Sequence, residues 1–163
     1  LSELGIPADY GTRRGLALQV EARELVPVGK NTEGRDIELT PTAAGAWVRM
    51  RDQAASDGIA LVAHSGFRSI ARQEELIRTK LGKGQSIDSI LQVMAAPGYS
   101  EHHSGNALDI GIPDAPPLTE EFDRTQAFSW LKANARSFGF RLSYPRDNPY
   151  GIVYEPWHWF YTG

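Results

Sequence analysis

The chain contains no cysteine, which excludes disulfides, thiolate zinc sites and cysteine nucleophiles together. No apolar run is long enough to span a bilayer. Lys and Arg form no stripe and the net charge is only -3, so nucleic acid and anionic membranes are excluded as main partners. Internal repeats, low-complexity tracts and linkers are also missing. What remains is an ordinary globular composition, 41% hydrophobic and 23% charged over 163 residues. That is enough chain to bury a core without metal or disulfide staples. One domain is expected over residues 1–163, with 1–39 a poorly marked lead-in and 40–161 the organised part. A start at Leu1 rather than Met is expected of a processed or trimmed chain.

The alternation of Leu16, Leu18, Val20 and Ala22 with polar neighbours suggests a short strand, and Gly29 to Arg35 reads as a loop. Thr40-Pro41 has the form of an N-cap followed by a first-turn proline. Ala44, Trp47, Val48, Arg51 and Ala55 then keep helical spacing until Gly58, with Trp47 as a core anchor. Ile59 to Ala63 predicts a buried strand leading into the Ser65-Gly-Phe-Arg-Ser69 turn. Helices follow over 70–81, with Ser69 as cap, and over 86–94. Residues 125–138 predict a fourth helix ended by Gly139. Strands are expected over 106–111, 140–144 and 152–161. The sum is an α+β fold, a small antiparallel sheet packed with about four helices.

The chemistry concentrates in Ser100-Glu-His-His-Ser-Gly-Asn-Ala-Leu-Asp109. His102 precedes Asp109 by seven residues, and Gly105 allows the backbone between them to turn sharply. Strand alternation from Ala107 puts Asp109 between the small residues Ala107 and Gly111, with Leu108 and Ile110 on the core face. The C-terminal run Tyr154-Glu-Pro-Trp-His-Trp-Phe-Tyr161 adds His158 and Glu155. Their three-residue spacing would send them to opposite faces of a regular strand, so the strand must bend or begin near Pro156. Two imidazoles and one carboxylate, His102, His158 and Asp109, make a three-ligand Zn2+ site with a fourth position open, the count of a catalytic zinc. Glu155 is placed to act as a general base, and Arg68 to stabilise an oxyanion. The alternative for Arg68 is an ion pair with Glu155 or Asp109.

Ser100, His102, Gly105, Ala107 and Asp109, the Glu155-Pro-Trp-His158 element and the Ser65 to Ser69 turn resemble the zinc D-Ala-D-Ala carboxypeptidases of the VanY type. These share a fold group with lysostaphin-like and hedgehog-like zinc proteins. The resemblance runs from about Thr40 to Tyr161 and implies a hedgehog/D-Ala-D-Ala peptidase-like fold. It also implies His102, Asp109 and His158 as metal ligands, Glu155 as catalytic base and Arg68 as transition-state arginine. Gln73 and Ser100 would contact substrate. That substrate would be the stem peptide of peptidoglycan, cut near its C-terminal D-alanine by a monomeric enzyme. A place in the periplasm or cell envelope follows from such a substrate alone, not from a targeting segment. An endopeptidase of the same fold and a non-catalytic zinc module that binds cell-wall peptides are the competing functions. The second would commonly lose Glu155 or Arg68, and both are present.

Among the remaining candidates, His103 is expected to be exposed or to stand behind the ligands, and His64 to lie at a strand end without a chemical role. Trp157 and Trp159 are expected to pack around the site rather than to form substrate platforms. Glu74, Glu75, Glu120 and Glu121 are expected to be solvated.

Overall fold

In the computed structural model, residues 1–163 form five α-helices, several short 3-10 turns and two antiparallel sheets. The α+β expectation holds, with one helix and one sheet more than the sequence pattern suggests. Helix α1 (Tyr10–Arg14) and the first residues pack against α3 (Ile70–Gly82) and α4 (Ile87–Val93). Leu4, Ile6, Tyr10, Ile77 and Ile90 form the small core between them. The Tyr10 hydroxyl accepts a hydrogen bond from the Ala96 N–H at 3.2 Å, tying this layer to the approach to Ser100.

Strands β1 (Val26–Lys30) and β2 (Asp36–Leu39) form a hairpin around the expected loop, and neither strand was expected from the sequence pattern. Pro27 and Gly29 hide β1, because both residues are rare inside strands and mark bulges. Gly29 has φ +121° and the register shifts between Pro27 and Gly29. Asn31 closes the turn, its Oδ1 accepting from the N–H groups of Glu33 and Arg35, both at 2.9 Å. The strand expected over 16–23 does not form. After Leu16, whose N–H bonds back to Gly11 O, this segment donates only single backbone bonds, from Gln19 to Gly98 O and from Ala22 to His103 O. Leu16 packs against the small core, but Leu18 and Val20 remain 73% and 81% exposed, so the alternation beyond Leu16 has no core to face.

Helix α2 (Pro41–Ser56) begins as expected, with the Thr40 Oγ1 accepting from the Ala43 N–H. Its buried residues are Ala43, Ala44, Ala46, Trp47, Met50 and Ala54, while Val48 and Ala55 point outward. The stripe is therefore turned part-way from the expected one, with Ala44 and Trp47 kept in it and Trp47 as its anchor. Strand β3 occupies Val62–Ser65 rather than 59–63, because the Ile59 N–H bonds to Ala54 O and finishes the helix end.

The second sheet has the order β3-β4-β6-β5, with β4 Ala107–Gly111, β5 Phe140–Leu142 and β6 His158–Tyr161. All its pairings are antiparallel. Leu108, Ile110 and Trp159 face the main core, with Trp47, Met50 and residues of α5 (Gln126–Asn134). The expected fourth helix thus ends in a 3-10 turn, Ala135–Phe138, and Gly139 closes it in the left-handed conformation (φ +87°). No helix is long and apolar enough to cross a membrane.

The two sheets meet at Gly66. Here the Phe67 N–H bonds to the Glu38 carbonyl at 2.8 Å, and a Cβ on Gly66 would stand 2.5 Å from that carbonyl oxygen. Since backbone has to move to admit it, Gly66→Ala is expected to cost about 1–3 kcal/mol, as other overpacked positions do. Urea unfolding of the variant against the parent measures this.

Candidate metal centre and cleft

Asp109 in β4 and His158 in β6 are direct partners in the antiparallel register. Ser65 of β3 faces Asp109 from the other side, after a bulge. The β6 strand starts only at His158, and the His158 N–H bonds back to Glu155 O at 3.2 Å across the Pro156-Trp157 turn. This turn resolves the awkward spacing: Glu155 lies before the strand and swings to the same side as His158. Strand 152–161 of the sequence reading is thereby shortened to its last four residues, as the pre-proline restriction on Glu155 favours.

His102 arrives on the 3-10 turn Glu101–Ser104, which Ser100 caps by accepting from the His102 N–H. Gly105 ends the turn at φ +71° and redirects the chain into β4. Three bonds lace this turn to the Gly66–Arg68 loop. His102 Nδ1 donates to Gly66 O at 2.7 Å, the Arg68 N–H to His102 O at 3.0 Å, and His103 Nδ1 to Arg68 O at 2.7 Å. His103 is not exposed: it is fully buried, and its Nε2 accepts from the Gly98 N–H. It braces the loop that carries Arg68.

His102, Asp109 and His158 offer ligand atoms that all lie within 4.8 Å of one another, and all three residues are buried. Asp109 Oδ1 stands 3.3 Å from His102 Nε2 and 3.4 Å from His158 Nδ1, yet it is a buried oxygen without an aligned hydrogen bond. A buried carboxylate oxygen left so is costly unless something else satisfies it. Two imidazole nitrogens and a carboxylate around it are the donor set that suits zinc. The group can therefore hold a metal ion.

Electrostatics follow from the burial. Desolvation opposes ionisation of Asp109, but the two imidazoles outweigh it and hold its pKa below the usual carboxylate range. Burial lowers the pKa of His102 more than Asp109 raises it. Burial also works against a charged His158, but the facing carboxylates of Asp109 and Glu101 overcome it and push its pKa up to about 10. Glu155 is raised to about 7, mainly by burial, with His158 pulling the other way and Asp109 adding to the rise. Its Oε2 is 3.6 Å from His158 Nδ1.

These groups open on a cleft of about 350 Å³ whose lining also includes Arg68, Gln73, Ser100 and Trp157. Arg68 pairs with neither Glu155 nor Asp109. Its guanidinium donates to Gln73 Oε1 at 3.1 Å and to Ser65 Oγ at 3.3 Å. Gln73 is buried and its amide donates in turn to Ala95 O at 2.7 Å, so both its polar ends are engaged within the protein. Trp159 is buried in the core, whereas Trp157 lines the cleft. His64 lies within β3, its Nε2 buried beside Gly111 without a partner. Glu74 and Glu75 pair with Arg78 and Arg72 on the surface.

Sequence reasoning missed Glu101, whose Oε1 is 2.9 Å from His158 Nε2. Its only signal was adjacency to His102, and on an irregular turn adjacency does not say which way a side chain faces.

A family model described as VanY, D-alanyl-D-alanine carboxypeptidase, matches residues 36–163. This chain belongs to the VanY family. A D-alanyl-D-alanine carboxypeptidase of Enterococcus faecalis is 30% identical over 97% of this chain and 55% of its own length. Among solved structures, the LdcB LD-carboxypeptidase is 32% identical with a TM-score of 0.79, over 88% of this chain and 70% of that one. A VanY D,D-pentapeptidase E175A mutant in complex with Zn(II) is 26% identical with a TM-score of 0.66, over 90% and 87%. The chain spans about half the length of the curated relatives it matches. The VanY fold is thus shared, and the buried donor group is a place where a metal can sit in it.

A zinc ion held by His158 Nδ1 would have to displace the proton that the neighbouring carboxylates favour there. The apparent zinc affinity is therefore expected to rise about tenfold per pH unit between pH 6 and 8, one proton being released per ion bound. Chelator competition at a series of pH values tests this, and a flat profile would contradict it.

Proposed function

We propose that this chain is a zinc-dependent carboxypeptidase that removes a C-terminal D-alanine from peptidoglycan stem peptides and acts outside the cytoplasm. The reading is supported by the VanY family membership and, above all, by Asp109 Oδ1, buried between two imidazole nitrogens with no hydrogen bond to satisfy it. His102 Nε2, Asp109 and His158 Nδ1 would hold the ion. Bound there, zinc supplies Lewis acidity, bringing the pKa of water to about 7 and polarising a carbonyl oxygen.

The protein's own groups carry the protons. Cleavage adds water across the peptide bond: the water oxygen joins the carbonyl carbon, the C–N bond breaks, and one proton moves to the leaving nitrogen. Glu155 is the carrier, since burial has raised its pKa to about 7, where it both accepts and returns a proton at neutral pH. Arg68 stays charged and is aimed by Ser65 and Gln73 on either side of its guanidinium. Its remaining donors can meet the negative charge that develops on the carbonyl oxygen. Gln73 acts here through Arg68, and Ser100 through the turn that presents His102, although both line the cleft where substrate would lie.

Glu155→Ala should keep its zinc, because the residue is not a ligand, and lose at least about two orders of magnitude in turnover. Metal analysis beside a peptide-hydrolysis assay checks both halves, and unchanged turnover would remove Glu155 from the mechanism. Stem peptides ending in D-Ala-D-Ala or in a single D-Ala, read by mass spectrometry, should each show loss of one terminal residue if the enzyme accepts that bond. The same peptides with the terminal carboxylate blocked as an amide should resist cleavage. Equal cleavage of the amides would replace the carboxypeptidase reading with an endopeptidase one.

A further inference from the structure

Glu101 lies on the far side of His158 from the candidate metal centre. It is buried, and its two oxygens have different partners. Oε1 is 2.9 Å from His158 Nε2, while Oε2 is 3.6 Å from the guanidinium of Arg141. Arg141 is half exposed and lies over the Phe160 ring at 5.4 Å. It lines, together with Glu101, a second cavity of about 430 Å³ on that side.

A carboxylate only accepts hydrogen bonds, so His158 Nε2 must be the protonated nitrogen. In the neutral ring this leaves the lone pair on Nδ1, which faces Asp109 Oδ1 at 3.4 Å and Glu155 Oε2 at 3.6 Å. His102 has the opposite arrangement. Its Nδ1 donates to the Gly66 carbonyl, leaving Nε2 to face Asp109. The two rings, edge to face with centroids 5.0 Å apart, thus offer unlike nitrogens to one point. For each, the acceptor behind the ring decides which nitrogen is offered. The His102 acceptor is a backbone carbonyl, whereas the His158 acceptor is one replaceable side chain.

We propose that Glu101 is a positioning residue, braced by Arg141, that fixes the tautomer and orientation of His158 so that Nδ1 is the nitrogen presented to zinc. The proposal rests on the zinc reading of the site. An outer carboxylate of this kind also makes the ring a stronger donor, and loss of such a partner typically weakens metal binding about 10–100-fold. Arg141 offsets the charge of Glu101 where it meets the second cavity, and keeps the carboxylate turned toward the ring.

The test uses the full chain, with zinc affinity measured by competition against a chromophoric chelator at one fixed pH. Glu101→Ala should bind zinc about 10–100-fold more weakly than the parent. Glu101→Gln, which keeps an acceptor oxygen, should recover part of that loss, and no recovery would assign the effect to packing and overturn the proposal. In nitrogen-edited NMR of the zinc-loaded parent, the His158 Nε2 proton should be present and slow to exchange. It should exchange rapidly in zinc-loaded Glu101→Ala. Affinity of Glu101→Ala within twofold of the parent, or a proton found on Nδ1 in the loaded parent, would also overturn the assignment. A parent chain that takes up no zinc would instead fell the zinc reading and the proposal with it, whereas zinc bound equally by both chains would remove only the role of Glu101.

Discussion

The pairing of β4 with β6 is the constraint on which the rest depends. It places Asp109 opposite His158 on neighbouring strands, at a separation that backbone hydrogen bonds set rather than side-chain flexibility. His102 is then delivered to the same point by a short turn whose end, Gly105, leads straight into β4. Two central strands and one turn thus gather His102 and Asp109 with His158, which is distant in the chain. A slip of one residue in the β4–β6 register would send Asp109 or His158 into the apolar core, so the hydrophobic face of the sheet also enforces the geometry of the polar face.

That polar face is expensive to maintain. Asp109, Glu155, Glu101, His102 and His158 are all buried, and buried ionisable groups are tolerated only when paired or when they hold an ion. The structure meets this need in layers. Gly66 O and Glu101 satisfy the outward nitrogens of the two imidazoles, while Arg141 meets the outer oxygen of Glu101. Inside this ring of partners, the oxygen of Asp109 has none. The unsatisfied position is therefore confined to the centre of the site, where the proposed ion would be held, and the surroundings are already fixed around it.

The cleft side shows the same economy. Arg68 is not an ion-pair partner of the acidic groups near it. It is held by a hydroxyl and by the oxygen of Gln73, itself anchored on Ala95, so its charge stays available to whatever enters the cleft. His103, expected either to be exposed or to stand behind the ligands, is buried and holds the Arg68 backbone carbonyl. The N-terminal residues contribute indirectly, since α1 packs on α3 and α4 and Tyr10 ties down the segment before Ser100. Two curated relatives extend well beyond the part that this chain matches.

What the sequence determined by itself were the features carried by local chemistry. Thr40-Pro41 and Ser69 start helices, Gly105 and Gly139 reverse the chain, and the alternation through Asp109 separates a core face from a polar one. These follow from side-chain hydrogen bonds, permitted dihedrals and period-two burial, all short-range. It also supplied the reactive residue types in a recognisable order. Only the tertiary structure decided the rest. Residues 16–23 alternate like a strand but find no partner, whereas Val26–Lys30 pairs despite its proline and glycine, because strand formation depends on a neighbour that local sequence does not encode. The direction of Glu101 and His103 was likewise decided by what packs behind an irregular turn. Glu155 and His158 share one side because a turn, not a strand, joins them, and that turn is held by pairing with distant parts of the chain.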